Sequence, residues 1–235
     1  MPRHGRKYRE ASALIEAERR YPLDEAAELL PKLSISKFDG TVEAHLRLGI
    51  DPRHADQLVR GTVVLPHGTG RLTRVIVFAQ GEKAQEALRG GADDVGGEDL
   101  VKKIDGGWFE FDVAIATPDM MGMVGRLGKK LGPRGLMPNP KSGTVTFDIE
   151  RAVSEIKSGR IEFKVDRAGI VHVPVGRASF TPDQLRANVA TLVDAVNRSK
   201  PSGAKGTFMR TLTLAPTMGP GVRIDIPSAL AAASG

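Results

Sequence analysis

The stretch from Gly125 to Gly143 reads GRLGKKLGPRGLMPNPKSG, and its residue types suit phosphate: backbone amides freed by glycine, with fixed cations beside them. From Met120 to Phe147 there are five Lys or Arg, no acid, six Gly and three Pro. A solvated basic loop stiffened by proline carries the same pattern. A bound nucleotide would call for a Walker loop, with four residues between its first Gly and Gly-Lys. Gly128-Lys129 has Met123 in that first place, and Lys130 where a Ser or Thr would hold magnesium. GTGRLT, from Gly68 to Thr73, starts like a dinucleotide fingerprint but lacks the third glycine and opens no helical pattern. There is no Gly-x-Ser-x-Gly and no His pair at metal spacing. His4, His45, His54, His67 and His172 are scattered, each reading as a solvated or core histidine. The pattern offers no enzyme chemistry, no cofactor and no metal site. A nucleotide-dependent enzyme using the Gly-rich basic stretch 122–135 is the rival reading, on composition alone.

A second acid-free window runs from Ala195 to Ile224 and carries Arg198, Lys200, Lys205, Arg210 and Arg223. It holds a basic flexible loop, a strand and a Thr-Met-Gly turn. Thr211 and Thr213 alternate with Leu212 and Leu214, which puts hydroxyls on an exposed face. Hydroxyls, cations and a close-approach glycine can read ribose and shape in structured RNA without large aromatics. SKFDGTVE, Ser36–Glu43, adds a cation, a Phe and an acid at a turn entering a strand; Phe38 by itself reads as an ordinary core residue.

These segments need elements to hold them. Asp24 begins a helix with Ala26, Leu29, Leu30 and Leu33 on one stripe. Val42, Ala44, Leu46, Leu48 and Ile50 alternate with Glu43, His45 and Arg47, a half-buried strand; Arg60–Pro66 is a second. TRVIVFA and FDVAIATP are continuous apolar strands with helical EKAQEALRGG and GEDLVKKIDGG between them, the texture of a parallel α/β layer. FDIERAVSEIKSG is a helix capped by Asp148. Alternation returns from Arg160, with Ile161, Phe163 and Val165 set against Glu162, Lys164 and Asp166; DRAG turns into GIVHVPV. Thr181 caps the clearest helix, with Pro182 first and Leu185, Val189, Leu192 and Val196 at helical spacing. Two more strands and a weak Ala/Ser tail finish the chain.

The 235 residues suffice for one large or two modest domains. The economical topology is an α+β domain from both termini, 1–67 and 160–235, with an α/β domain inserted at 68–159. A single continuous domain is the alternative. The net charge of +6 favours polyanions, while 5% aromatics argue against a broad base-stacking platform. No cysteine is present, which fits a reducing cytoplasm. No apolar run approaches the roughly 20 residues of a membrane span. MPRHGRKYRE is a basic arm or a solvated tail, with no secretory signal behind it.

KFDGTVEAHLRLGID, GPRGLMPNPKSGTV, KSGRIEFKVD and KPSGAKGTFMR…TMGP closely resemble the bacterial ribosomal protein L-one family, in order and over essentially the whole chain. The resemblance implies a discontinuous terminal-half RNA-binding domain, antiparallel-rich with helices, and an inserted Rossmann-like three-layer domain. It implies large-subunit ribosomal RNA of the mobile stalk as partner, beside exiting deacylated tRNA, and repression of its own operon by binding a messenger mimic. It also implies a ribosomal, cytoplasmic protein with no membrane partner, monomeric outside the ribosome. Carried over by motif, the RNA-binding residues are Lys37, Phe38, Thr41, Glu43, Lys164, Asp166, Thr211, Thr217, Met218 and Gly219. Lys37 and Lys164 would contact phosphate or ribose, Glu43 and Asp166 would accept from hydroxyl or amino donors, and Met218 would pack on a sugar or base. Gly40, and Thr211 in place of Ser, depart from the family's usual residues.

Overall fold

The computed structural model describes residues 5–234, so His4 and the first part of the basic arm lie outside the described residues. In chain order the elements are α1 (Arg6–Ser12), α2 (Leu23–Leu33), β1 (Thr41–Leu48), β2 (Arg60–Val64), β3 (Val75–Phe78), α3 (Glu82–Arg89), β4 (Asp94–Gly96), α4 (Glu98–Asp105) and β5 (Val113–Ala116). Two four-residue helices follow, α5 (Met121–Val124) and α6 (Gly128–Leu131). The chain continues through α7 (Ile149–Lys157), β6 (Arg160–Lys164), β7 (Ile170–Arg177), α8 (Pro182–Arg198), β8 (Met209–Pro216), β9 (Val222–Ile224) and α9 (Ile226–Ser234). It divides into two compact units, Met1–Gly70 with Ile161–Gly235, and Arg71–Arg160. Antiparallel and parallel sheets are both present, a mixed α/β protein.

In the first unit β7, β1, β8 and β9 lie side by side, antiparallel throughout, and β2 pairs with β6 in a separate ribbon. The alternation of β1 decides which face is buried: Val42, Ala44, Leu46 and Leu48 join the core, and Glu43 and Arg47 stay exposed. Ile50, expected on the same face, lies past the end of β1 and is half-buried. Helices α2, α8 and α9 supply the other half of this core through Leu23, Leu30, Leu33, Leu185, Val189, Leu192 and Ala229. Helix α8 starts on a capping box: Thr181 Oγ1 accepts from the Gln184 amide at 3.3 Å, and Gln184 Oε1 accepts from the Thr181 amide at 3.0 Å. Its buried Asn188 uses the whole amide, donating to the Gly68 and Val175 carbonyls and accepting from the His67 amide. Two terminal readings are corrected. The Ala/Ser tail is helix α9, with Ala229 fully buried and the Asp225 carboxylate accepting from the Ser228 amide at its start. Residues 6–10 of the basic arm belong to helix α1, which runs on to Ser12 and buries Ala11.

In the second unit β4, β3 and β5 are parallel, with β3 in the middle. Both faces are covered, which is why β3 is apolar at every position. Val75, Val77 and Ile115 pack with α3 and α7, and Ile76, Phe78 and Ala114 pack with α4 and the 120–131 segment. Strand β4 is three residues long and has no alternation to announce it. Asp148 stands at the N-terminal cap position of α7 but makes no side-chain cap bond; its amide donates to Thr146 Oγ1 instead.

The glycine-rich stretch is the larger correction. Residues 132–139 follow as turns and loop, but up to Leu131 it is not an open loop. There it is the end of a run of helical turns that starts at Pro118, with Met120, Val124, Leu127 and Leu131 buried. Those positions are spaced four, three and four, one stripe of a helix. Two of its five cations are engaged: Lys130 donates to the Asp105 carbonyl at 2.6 Å, and Arg134 lies 3.6 Å above the Phe109 ring. Most of the stretch 122–135, on which the rival nucleotide-enzyme reading rests, is thus helical rather than open loop.

Candidate nucleic-acid interface

Two turns meet at one end of the four-stranded sheet. The Thr217 amide donates to the Thr41 carbonyl at 2.8 Å, and the Thr217 hydroxyl both accepts from the Thr41 amide and donates to the Thr41 carbonyl, each at 3.0 Å. The turn after β8 is thereby locked to the start of β1. Gly40 fits beneath it: a Cβ there would stand 3.2 Å from both Ser36 Oγ and Thr217 Cβ. Asp39 secures the other side, accepting from the Ser179 amide at 3.0 Å and the Ser179 hydroxyl at 2.8 Å, while its carbonyl accepts from Arg177 Nη1.

This frame holds Lys37, Phe38 and Met218 outward. Phe38 is 62% exposed, which overturns its core reading, and Met218 is 71% exposed. Met218 is also the one non-glycine residue at positive φ among the described residues, at 66°. A side chain in that region is strained, and strain of this kind gathers at binding and switch sites. Gly219 has a steric reason of its own: a Cβ there would stand 2.5 Å from the Leu33 carbonyl oxygen and 2.6 Å from Pro216 Cγ. Lys37 and Glu43 are exposed, and Thr41 is half-buried at the seam.

The remaining candidates lie elsewhere. Thr211 pairs with Arg47, and Arg47 with Ile170, so this group sits about 20 Å along β1 from Thr41 at the usual strand rise. Asp166 holds its own turn together, its Oδ1 accepting from the Ala168 and Ile170 amides, both at 2.8 Å. Those bonds, the Ile170 amide foremost and then Ala168, lower its pKa, with His172 adding to the effect. Lys164 is exposed on the β6 ribbon. Along the open sheet face between the two groups, His45 and His172 face each other with their Nδ1 atoms 2.8 Å apart, one donating and one accepting. Glu43 lies 3.9 Å from His45 and Asp166 lies 3.5 Å from His172. Burial, and then the His172 charge, lowers the His45 pKa against the opposing pull of Glu43.

Sequence reasoning missed Asp39, the histidine pair and the backbone strain at Met218. The first two depend on partners more than 120 residues away along the chain.

The ribosomal protein L1p/L10e family model matches residues 30–220, which include both turns and the histidine pair. The chain belongs to that family. The large ribosomal subunit protein uL1 of Chloroflexus aurantiacus is 60% identical over 228 residues, 96% of each chain. The matched residues thus span the locked turns, strands β7, β1 and β8 of the open sheet, and the whole Arg71–Arg160 unit. Among the described residues no group of three or more His, Asp or Glu side chains could hold a metal ion, and no helix is long and apolar enough to cross a membrane.

Proposed function

We propose that this protein is a constituent of the large ribosomal subunit, that it binds the ribosomal RNA of the mobile stalk beside the tRNA exit site, and that it performs no catalysis. RNA is gripped by the domain built from residues 1–67 and 160–235, and residues 68–159 form an insertion. The observation that carries this reading is Met218: strained, exposed and held out by a turn whose hydroxyl and amide are all committed to Thr41. An apolar side chain held out on a strained turn, beside the exposed Phe38, is what a contact surface for a ligand calls for. Phe38 stands on the adjoining turn, and Lys37 and Glu43 supply a cation and an acceptor for phosphate and 2′-hydroxyl. Thr217 positions the turn, while Phe38 and Met218 make the contact.

Deacylated tRNA is the second RNA partner, released past the stalk, and a messenger copy of the stalk site makes the protein a repressor of its own operon. Chemical footprinting of the full chain on naked large-subunit RNA tests the first step. Protection confined to the stalk segment is expected, and protection scattered over unrelated helices would refute the assignment.

A further inference from the structure

The open sheet face carries a second group of cations that the two turns do not use. At the start of β8, Arg47 pairs with Thr211 and Leu48 with Met209, so Arg210 is the extra residue of a β-bulge. A bulge re-aims side chains, and Arg210 and Thr211 are both exposed where strict alternation would bury one of them. Farther across the sheet Thr213 pairs with Arg223 on β9. Tyr21 then bridges Ile224 in parallel, its amide donating to the Arg223 carbonyl at 2.8 Å, and this brings Arg20 alongside Arg223. The outcome is a cavity of about 370 Å³ whose polar lining is Arg20, Arg210, Thr211, Thr213 and Arg223.

These groups are free to take a ligand. The side chains of Arg20 and Arg210 make no hydrogen bond or ion pair among the described residues, and the same holds for the Thr211 and Thr213 hydroxyls. Arg223 meets only the highly exposed Glu18, at 3.4 Å. The carboxylate of Asp225, two residues along the chain, already accepts from the Ser228 amide. Three guanidinium groups share one concavity with no carboxylate among its lining residues, and a bound anion relieves their repulsion.

We propose that this cavity is a phosphate site for the RNA backbone, distinct from the Met218 turn. Two or more guanidinium groups hold the non-bridging oxygens of a phosphodiester, and the threonine hydroxyls meet the neighbouring 2′-hydroxyl or phosphate. The site rests on the RNA-binding reading above, yet Arg20 and Arg223 lie outside the residues 30–220 matched by the family model. It extends the interface from the locked turns across the sheet to its β9 edge.

The test is equilibrium binding of the full chain to a stalk RNA fragment across a KCl series. Wild type is compared with the triple variant Arg20→Gln, Arg210→Gln, Arg223→Gln, with Arg210→Gln alone and with Met218→Ala. The slope of log K against log salt should flatten by about 0.9 for each phosphate contact removed. Met218→Ala should weaken binding at every salt concentration without changing the slope. Arg210→Gln leaves the Arg223–Glu18 pair intact, so its slope decides the matter if the triple variant folds poorly. A wild type that ignores the fragment refutes the RNA-binding reading itself. A wild type that binds, with variant slopes equal to its own, refutes the phosphate site alone.

Discussion

Met218 allows stability and binding to be separated by two substitutions at one position. Its φ of 66° costs a side-chain-bearing residue about 1–2 kcal/mol, a cost glycine does not carry. Glycine gives back about 0.4–1 kcal/mol through the greater freedom of the unfolded chain. Met218→Gly should therefore fold as well as wild type, or better by up to about 1.5 kcal/mol. Met218→Ala keeps the strain and loses little packing, since 71% of the residue is exposed, so its stability should stay within about 0.5 kcal/mol of wild type. Binding runs the other way. If RNA covers about 100 Å² of the side chain, its loss costs about 2.5 kcal/mol, roughly 70-fold in Kd, in both variants. Urea unfolding gives the first quantity and filter binding to the stalk fragment the second. Unchanged affinity in both variants would show that the strained residue serves no ligand. So would a glycine variant that binds better than the alanine variant in proportion to its stability.

Three further outcomes follow from the same geometry. Gly219→Ala should destabilise the fold by about 1–3 kcal/mol in urea, because the new methyl meets the Leu33 carbonyl and Pro216; a neutral result would mean that this turn yields easily. Asn188→Ala leaves two carbonyls and one amide without their partner in a buried site, and should cost about 2–4 kcal/mol by thermal or urea unfolding. For pH, the lowered His45 pKa means that the unfolded chain binds that proton more tightly, so stability is full above the ordinary value of 6.5 and is lost as pH falls through the lower folded value. Asp166, also lowered, loses its contribution only as pH falls below 3.8. His45→Gln should remove the first step in a pH series of urea midpoints and leave the second.

Where side-chain period and local capping decide an element, the sequence was legible. The alternation of Val42 to Leu48 marked β1 and its open face, and Thr181-Pro182 marked the start of α8. Glycine misled where it stood for exposure rather than a turn. Gly122, Gly125 and Gly128 have open space around them, and they mask the helical stripe of Met120, Val124, Leu127 and Leu131. The tail was misread because α9 gains its stability by contact with α8, and short Ala-rich sequence alone is marginally helical. At the interface the chemistry of Lys37, Phe38, Glu43 and Met218 came from motif, while its cause came from tertiary contacts. The clamp from Asp39 to Ser179 crosses 140 residues. The bulge that frees Arg210 exists only as a mismatch between two strand registers.

The central claim is selective recognition of a folded RNA by an open sheet face and its two locked turns. Its most direct test is the ratio of Kd values for the full chain on the stalk RNA fragment and on a scrambled RNA of equal length, both at 0.15 M KCl. The account predicts a preference of at least about a thousandfold for the stalk fragment. Equal affinity for the two RNAs would contradict it and leave a general polyanion binder in its place.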